Sequence, residues 1–530
     1  MLSLMPLSSL EKVFADEKPS AKPASHFSCL QGEKLSFQLA FSSDCDTKVS
    51  PNITGTGAAC CTAYWVEDVP VGQACYEDSD EFFLRREPGM YPDILRPATA
   101  PLQANAGLWH SLWVEFCCDC AAGDYDITIT LGEQSQVFTV TKLAAQLPAQ
   151  TLLFTQWFHC DGLAQFYDVA VWSEEYWAIV EKHLRCAFAH GINFILTPLF
   201  TPPLDTQVGG ERLTTQLVGV TKTGDTYHFD FTLLSRWFNL CENIGFAAYE
   251  LSHLFTQWGA SHAPKIVDVN GEKLFGWETD ATGDEYRSFL SQFAAALLPY
   301  LAQRELTTRC YVHVSDEPGE WCLEMYAKQS AFIKQIFPGL PMIDALSDFS
   351  FYEHGHIERP VPANNHMEPF IGQVPELWTY YCCAQSKCGE SNRFIAMPGW
   401  RNRIIGVQLW KYKCVGFLHW GLNFYNLQFS TEPINPFAVT DAGGNFASGD
   451  SFSIYPGENG DALCSTRMKV FRDALQDMQA LQLLEQNIGY DATLALVEQG
   501  IAPITFTEYP RSNEWLLDLR ERINARLRDM

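Results

Sequence analysis

At 530 residues the chain exceeds one ordinary domain, and a prior of roughly 150 residues per unit allows about three, two of which a barrel would absorb. Hydrophobic residues at 47% and aromatics at 13% supply large cores and exclude a disordered chain. A formal charge of −27, from 63 acidic against 36 basic residues, opposes nucleic acid and anionic membranes as partners, because both need Lys and Arg counter-charge.

In chain order, Met1 to Lys12 lack both a basic run and a sustained apolar run, so no signal peptide is expected. No later run of about 18 apolar residues gives a membrane span, and a cytoplasmic protein is expected. From Glu33 to about Lys142 the runs Lys34-Leu-Ser-Phe-Gln-Leu-Ala-Phe, Ala63-Tyr-Trp-Val, Trp109-His-Ser-Leu-Trp-Val-Glu-Phe and Tyr125-Asp-Ile-Thr-Ile-Thr-Leu-Gly read as strands, with turn residues at short intervals. That texture predicts an N-terminal β-sandwich over residues 1–148, with Lys142 to Gln150 as the linker onward.

From Leu152 short apolar runs alternate with longer helical stretches, the pattern of parallel strands with crossover helices. The strands are expected at Leu152–Phe158, Asn193–Leu196, Ala247–Leu251, Cys310–Val314, Met342–Ala345, Arg359–Ala363, Leu377–Tyr381 and Gly416–Trp420. Eight of them fit a parallel sheet or a (β/α)8 TIM-type barrel, the latter expected over residues 149–460, making the chain a multidomain α/β protein. Ser173 is placed to cap Glu174–His190, Asp284 precedes Tyr286–Gln303, and Pro318 can open Trp321–Phe337. Trp410 and Tyr412 alternate with basic residues as on a strand surface. A C-terminal helical segment, 461–530, is expected to pack on the barrel through Arg467–Gln486, Ala492–Gln499 and Asn513–Arg528.

The 18 cysteines lie in apolar runs such as Ala-Ala-Cys60-Cys61-Thr and Tyr-Tyr-Cys382-Cys383-Ala, which fits reduced, buried thiols. Cys117-Cys118-Asp119-Cys120 has a C-x-x-C spacing, but neither a second pair nor a His cluster accompanies it. No metal and no cofactor are expected.

In a barrel the ligand meets the C-terminal ends of the strands, so the polar residues that close each apolar run are the candidates. They include His159 and Asp161, His253, Asp316 and Glu317, Asp344, Tyr381, and Trp420, Asn423 and Tyr425. Indole and phenol faces with carboxylates, amides and imidazoles beside them suit a sugar ring. Consecutive strand residues point to opposite faces, so Asp316 and Glu317 can enter one cavity only where the strand ends, and Pro318 ends it. Pro318 also biases Glu317 toward extended backbone. The same Asp-Glu-Pro equally serves to decorate a helix N-terminus. His159 and His253 either meet substrate hydroxyls or are satisfied core residues. The loop from Thr201 through Asp205 to Arg212 either shapes the pocket or only connects elements.

With His313-Val-Ser-Asp316-Glu317-Pro318, then Gly416-Phe-Leu-His419-Trp420-Gly-Leu-Asn423-Phe-Tyr425-Asn426 and Ser465-Thr-Arg467-Met-Lys-Val-Phe-Arg472-Asp473, the chain resembles the catalytic domain of glycoside hydrolase family 123 and its relatives over roughly Leu152 to Gln486. The resemblance implies release of terminal β-linked N-acetylgalactosamine with net retention, by a substrate-assisted route. It implies that Asp316 orients the substrate's 2-acetamido group, that Glu317 is the acid and base, and that Trp420, Asn423 and Tyr425 wall or hydrogen-bond the sugar. Roles for His159, Asp161, His253, Asp344 and Tyr381 in binding substrate come from strand-end placement alone. The expected partner is a small-molecule or oligosaccharide substrate ending in N-acetylhexosamine, and the absent signal peptide favours imported oligosaccharides. Two other readings stay open: a conventional retaining β-glycosidase pairing Glu317 with Asp344 or Asp161 at about 5 Å, and a non-catalytic glycan-binding protein on the same scaffold.

Overall fold

The computed structural model describes residues 2–117 and 120–528, so Cys118 and Asp119 of the C-x-x-C run lie outside the described residues. The N-terminal region is β-rich. Five antiparallel strands pair in the order Leu2–Ser8, Leu35–Ser43, Trp109–Phe116, Cys61–Val71, Gly89–Pro97, and a second sheet runs His26–Gln31, Gln134–Gln146, Gly123–Leu131, Pro51–Thr54. Between them Phe37, Leu39, Phe41, Ile127, Ile129, Phe138 and Val140 form one buried cluster, with the Phe37 and Phe138 rings stacked at 4.5 Å. The β-region starts earlier than the alternation at Lys34 suggests: Leu2–Ser8 pairs residue for residue with residues 37–43. Cys60 is in a disulfide, a departure from uniformly reduced thiols, while Cys29, Cys160, Cys241, Cys310 and Cys414 are buried and free.

The second region is a curled parallel sheet with helices outside it. Its strands are β1 (Leu153–Gln156), β2 (Phe194–Thr197), β3 (Ala248–Leu251), β4 (Cys310–Val312), β5 (Ile343–Ala345), β6 (Arg359–Val361), β7 (Trp378–Tyr380) and β8 (Gly416–His419). Six form a ladder in the order β4-β3-β2-β1-β8-β7, and β5 and β6 form a separate parallel pair. Among the described residues, the single bridges Val312↔Met342 and Ala363↔Tyr380 are the only ones that link the pair to the six. The ladder is therefore a half-barrel plus a pair, where a continuous eight-stranded ring was expected.

The sequence explains the gap on one side. Arg359 N and Val361 O bond toward β5, so Pro360 and Pro362 present their edge to β7, and neither has an N–H to donate. Pro362 can only accept, from Tyr380 N at 3.0 Å and the Thr379 hydroxyl at 3.0 Å.

Alternate residues of the strands fill the inside of the curl: Phe194 and Leu196, Ile343 and Ala345, Trp378 and Tyr380, and Leu418 belong to one buried cluster. Gly416 is required at the start of β8, because a Cβ there would lie 2.0 Å from the Trp378 ring. Ser173 caps Glu174–Ala189 by accepting from Tyr176 N at 3.2 Å, and the helices Asp284–Gln303 and Leu323–Ile336 follow β3 and β4. Trp410 lies on the helix Ile405–Lys411 and not on a strand. Its alternation with basic residues misleads because Gly406, on the same helix, meets the helix Thr466–Ile488 so closely that a Cβ would lie 1.9 Å from Ala474 O.

Thr466–Ile488, capped by Ser465, is buried along most of its length between the β-rich region and the curled sheet. Asp93 pairs with Arg467 through two contacts of 2.9 Å, Glu115 with Lys469 and Arg472, and Asp477 with Arg403 and Arg520. The late Arg467–Asp473 motif thus clamps the two regions together. Among the described residues no helix is long and apolar enough to cross a membrane.

Candidate active site

At the end of β4 the chain leaves the ladder through His313, whose ring is fully buried between two carboxylates. Nε2 stands 2.9 Å from Glu250 on β3, and Nδ1 3.0 Å from Asp344 on β5. Burial alone would strip the ring of its proton, but the hydrogen bonds and charges of Asp344 and Glu250 outweigh it and lift the pKa to about 9. His313 is therefore an imidazolium with both nitrogens donating. Asp344 also accepts from Tyr326 OH at 2.6 Å and Val314 N at 3.1 Å, and Glu250 from Trp157 Nε1 at 2.9 Å and the Thr155 hydroxyl. His253 stacks on His313 at 4.2 Å, and burial, then the His313 charge, hold it neutral. His253, His313 and Asp344 bring donor atoms within 4.8 Å of one another, with both His313 nitrogens engaged by the two carboxylates.

Above this ionic floor opens a cavity of about 220 Å³. Three carboxylates line it, Asp205, Asp316 and Glu317, with the rings of Trp157, Trp258, Tyr380, Trp420, Phe429 and Phe446 and the amides of Gln257 and Gln428. Glu317 accepts from Tyr380 OH at 2.7 Å. Its accessible surface opens on this cavity, while the surrounding protein raises its carboxyl above the usual range; the Tyr380 bond partly offsets that. Asp316 is raised as well, first by burial and then by the charge of Glu317, with the His313 cation opposing. Two adjacent carboxyls so coupled hold protons as a pair. Burial also lifts Asp205 to about 6, against a hydrogen bond from Phe429 N at 2.9 Å.

Pro318 was expected to hold Glu317 extended. Instead Glu317 has φ +43°, in the left-handed region, and its N–H donates to Ala345 O at 3.1 Å. The bond to β5 wins over the local preference. Asp205, Trp258 and Phe429 also line the cavity with φ of +40°, +56° and +62°. Such backbone costs about 1–3 kcal/mol per residue and persists where surrounding structure over-determines it, as at functional sites.

Of the residues read from the sequence, Asp316, Glu317 and Trp420 line the cavity. Trp420 is fixed by Nε1 donating to Asp450 at 2.8 Å. Asp344 and His253 pack around the buried His313 and do not line the cavity. His159 and Asp161 sit apart with Arg212, which donates to Asp161 at 2.7 and 2.6 Å and stands 3.1 Å from His159 Nδ1. Burial and the Arg212 charge drop His159 to about 3, while Asp161, despite burial, is lowered by Arg212. Asn423 clasps the His159 backbone from both sides, at 2.8 and 3.0 Å, and Tyr425 OH donates to Ile454 O. Tyr381 is buried behind β7 against Phe417 and His419, and its neighbour Tyr380 takes the cavity side.

The sequence reading missed Tyr380, Glu250 and Asp450, and left Asp205 undecided. Glu250 was visible as a carboxylate inside an apolar run, a placement that requires a buried partner. Arg212 donates to Leu204 O at 2.9 Å and ties its loop so that Asp205 reaches the mouth.

Paired carboxylates walled by indole and phenol rings define a carbohydrate-active hydrolase. The chain belongs to glycoside hydrolase family 123, whose catalytic domain matches residues 157–484. Among solved structures it is similar to a family 123 glycoside hydrolase from Clostridium perfringens, with 13% identity, a TM-score of 0.77, and coverage of 99% of this chain and 98% of that one. A family 5 mannosidase from Rhizomucor miehei aligns at 12% identity over 65% of this chain and 95% of its own, with a TM-score of 0.33 that supports no conclusion. No curated protein matches the sequence.

Proposed function

We propose that this glycosidase is a retaining β-N-acetylhexosaminidase that releases terminal β-linked N-acetylgalactosamine, with the eight strands acting as a (β/α)8 barrel around the sugar. The observation that carries the reading is the entry of Asp316 and Glu317 side by side into one ring-walled cavity, with Tyr380 on Glu317. The acetamido N–H bonds to ionised Asp316, which leaves the pair's proton on Glu317. The acetamido oxygen attacks the anomeric carbon as the glycosidic C–O bond breaks and Glu317 protonates the leaving oxygen. Water then attacks the anomeric carbon as Glu317 takes its proton, and the bond from that carbon to the acetamido oxygen breaks, which restores the acetamide with net retention. Trp420 and Trp157 supply faces for the sugar, and an oligosaccharide or the glycan of a glycolipid presents the same terminus.

A conventional two-carboxylate route is less well supported. Asp344 is consumed by His313 and Tyr326, and Asp161 by Arg212, so the remaining cavity carboxylate is Asp205. A panel of aryl β-glycosides with and without the 2-acetamide, assayed on wild type and Asp316→Asn, separates the two. The substrate-assisted reading expects turnover of acetamido substrates alone. Comparable turnover without the acetamide sinks it.

A further inference from the structure

Away from the cavity, the helix Glu174–Ala189 carries Cys186 and ends at its cap His190, four residues on and so on the same face. The hairpin of Ile454–Pro456 and Ala462–Cys464 brings Cys464 against them. The two sulfurs stand 3.2 Å apart, and Cys464 Sγ is 3.5 Å from His190 Nε2. A disulfide bond is much shorter, about 2.05 Å. His190 Nδ1 lies 2.8 Å from the Cys186 carbonyl oxygen, a contact that places the ring proton on Nδ1 and turns the Nε2 lone pair toward the sulfurs.

All three donor atoms fall within 4.8 Å of one another, with His190 buried and the cysteines half-buried. A tetrahedral zinc ion, with Zn–S of about 2.3 Å and Zn–N of about 2.0–2.1 Å, sets sulfur and nitrogen about 3.5 Å apart and two sulfurs about 3.8 Å apart. Cys464 and His190 meet the first separation, and the two sulfurs need a small opening to meet the second.

We propose that Cys186, His190 and Cys464 form a zinc site with water as the fourth ligand. The two thiols lose their protons to solvent as the ion binds, and two thiolates neutralise its charge. The ion staples the helix after β1 to the hairpin before Thr466–Ile488, across 278 residues of sequence.

The test uses the full-length chain without a metal-binding tag, stripped by a chelator under reducing conditions. It is titrated with zinc chloride against a chromophoric chelator, and with cobalt(II) chloride read by thiolate-to-cobalt absorption. The expected result is one ion per chain, a thiolate–cobalt band, and a thermal midpoint that rises with zinc. Cys464→Ser and Cys186→Ser should each bind at least tenfold more weakly, and Glu317→Gln should bind as wild type does. Should the serine variants misfold by circular dichroism, His190→Gln replaces them with the same expectation. Absence of stoichiometric zinc in wild type, or undiminished binding in the variants, overturns the proposal. So does a two-hydrogen mass deficit with loss of two titratable thiols, which would identify a disulfide instead.

Discussion

Glu317 carries the sharpest consequences at the scale of single residues. Glu317→Gln keeps shape and the Tyr380 contact but has no proton to give, so kcat on N-acetylhexosaminides should fall by about 10²–10⁴. Steady-state rates check it, and unchanged turnover removes Glu317 from the reaction. Tyr380→Phe deletes a hydrogen bond that favours the ionised carboxyl, so the Glu317 pKa should rise and the alkaline limb of kcat/KM should move to higher pH. A profile that stays put, or moves down, contradicts the assignment. Asp316 and Glu317 were legible because a polar pair closes an apolar run before a proline. Tyr380 was not, because Tyr380 and Tyr381 are alike in sequence and only the pairing of Tyr380 with Leu418 decides which side chain faces inward.

At the scale of elements, the strands and helices follow the periodicity closely, since all eight apolar runs overlap a strand. What periodicity does not carry is the neighbour each element meets. Ile405–Lys411 looks strand-like locally, yet it is a helix whose Gly406 admits the backbone of Thr466–Ile488. Gly406→Ala should therefore destabilise the protein by about 1–3 kcal/mol, because the added methyl overlaps Ala474 O and neither backbone has room to retreat. Urea unfolding reads the change, and a shift below a few tenths of a kcal/mol would mean that the two helices stand further apart. The weak β6–β7 edge was also present in the sequence, in Pro360 and Pro362, but it becomes readable only once the facing strand is known.

Over the whole molecule, the β-rich region and the curled sheet are joined by buried ion pairs. Asp93 is fully buried, yet the charges and bonds of Arg467 outweigh burial and hold its pKa down. Removing one partner strands the other, so Arg467→Met should cost about 3–5 kcal/mol, measured by unfolding at pH 7. Acid weakens the molecule by a separate route. Burial holds His159 near 3, His183 near 4, and His253 and His419 well below the usual value, so these rings are neutral when folded. Unfolded, they take protons below about pH 6.5. The unfolded state then binds more protons, and stability should fall as pH drops from about 6.5 toward 4. His313 has the opposite sign: its stabilisation is full below about 6.5 and is lost as pH rises through about 9. Urea midpoints at pH 7.5, 5 and 9.5 test both limbs.

Sequence by itself determined the β-rich start, the parallel strands with their helices, and the carboxylate pair, because each is written in local periodicity and in the residues that interrupt it. The tertiary structure alone decided which polar strand-ends share a cavity. His159 and Asp161 were drawn off by Arg212, Asn423 by the His159 backbone, and Cys186 met a cysteine 278 residues away. A buried polar side chain takes the partner that space brings nearest, and sequence spacing does not encode that distance.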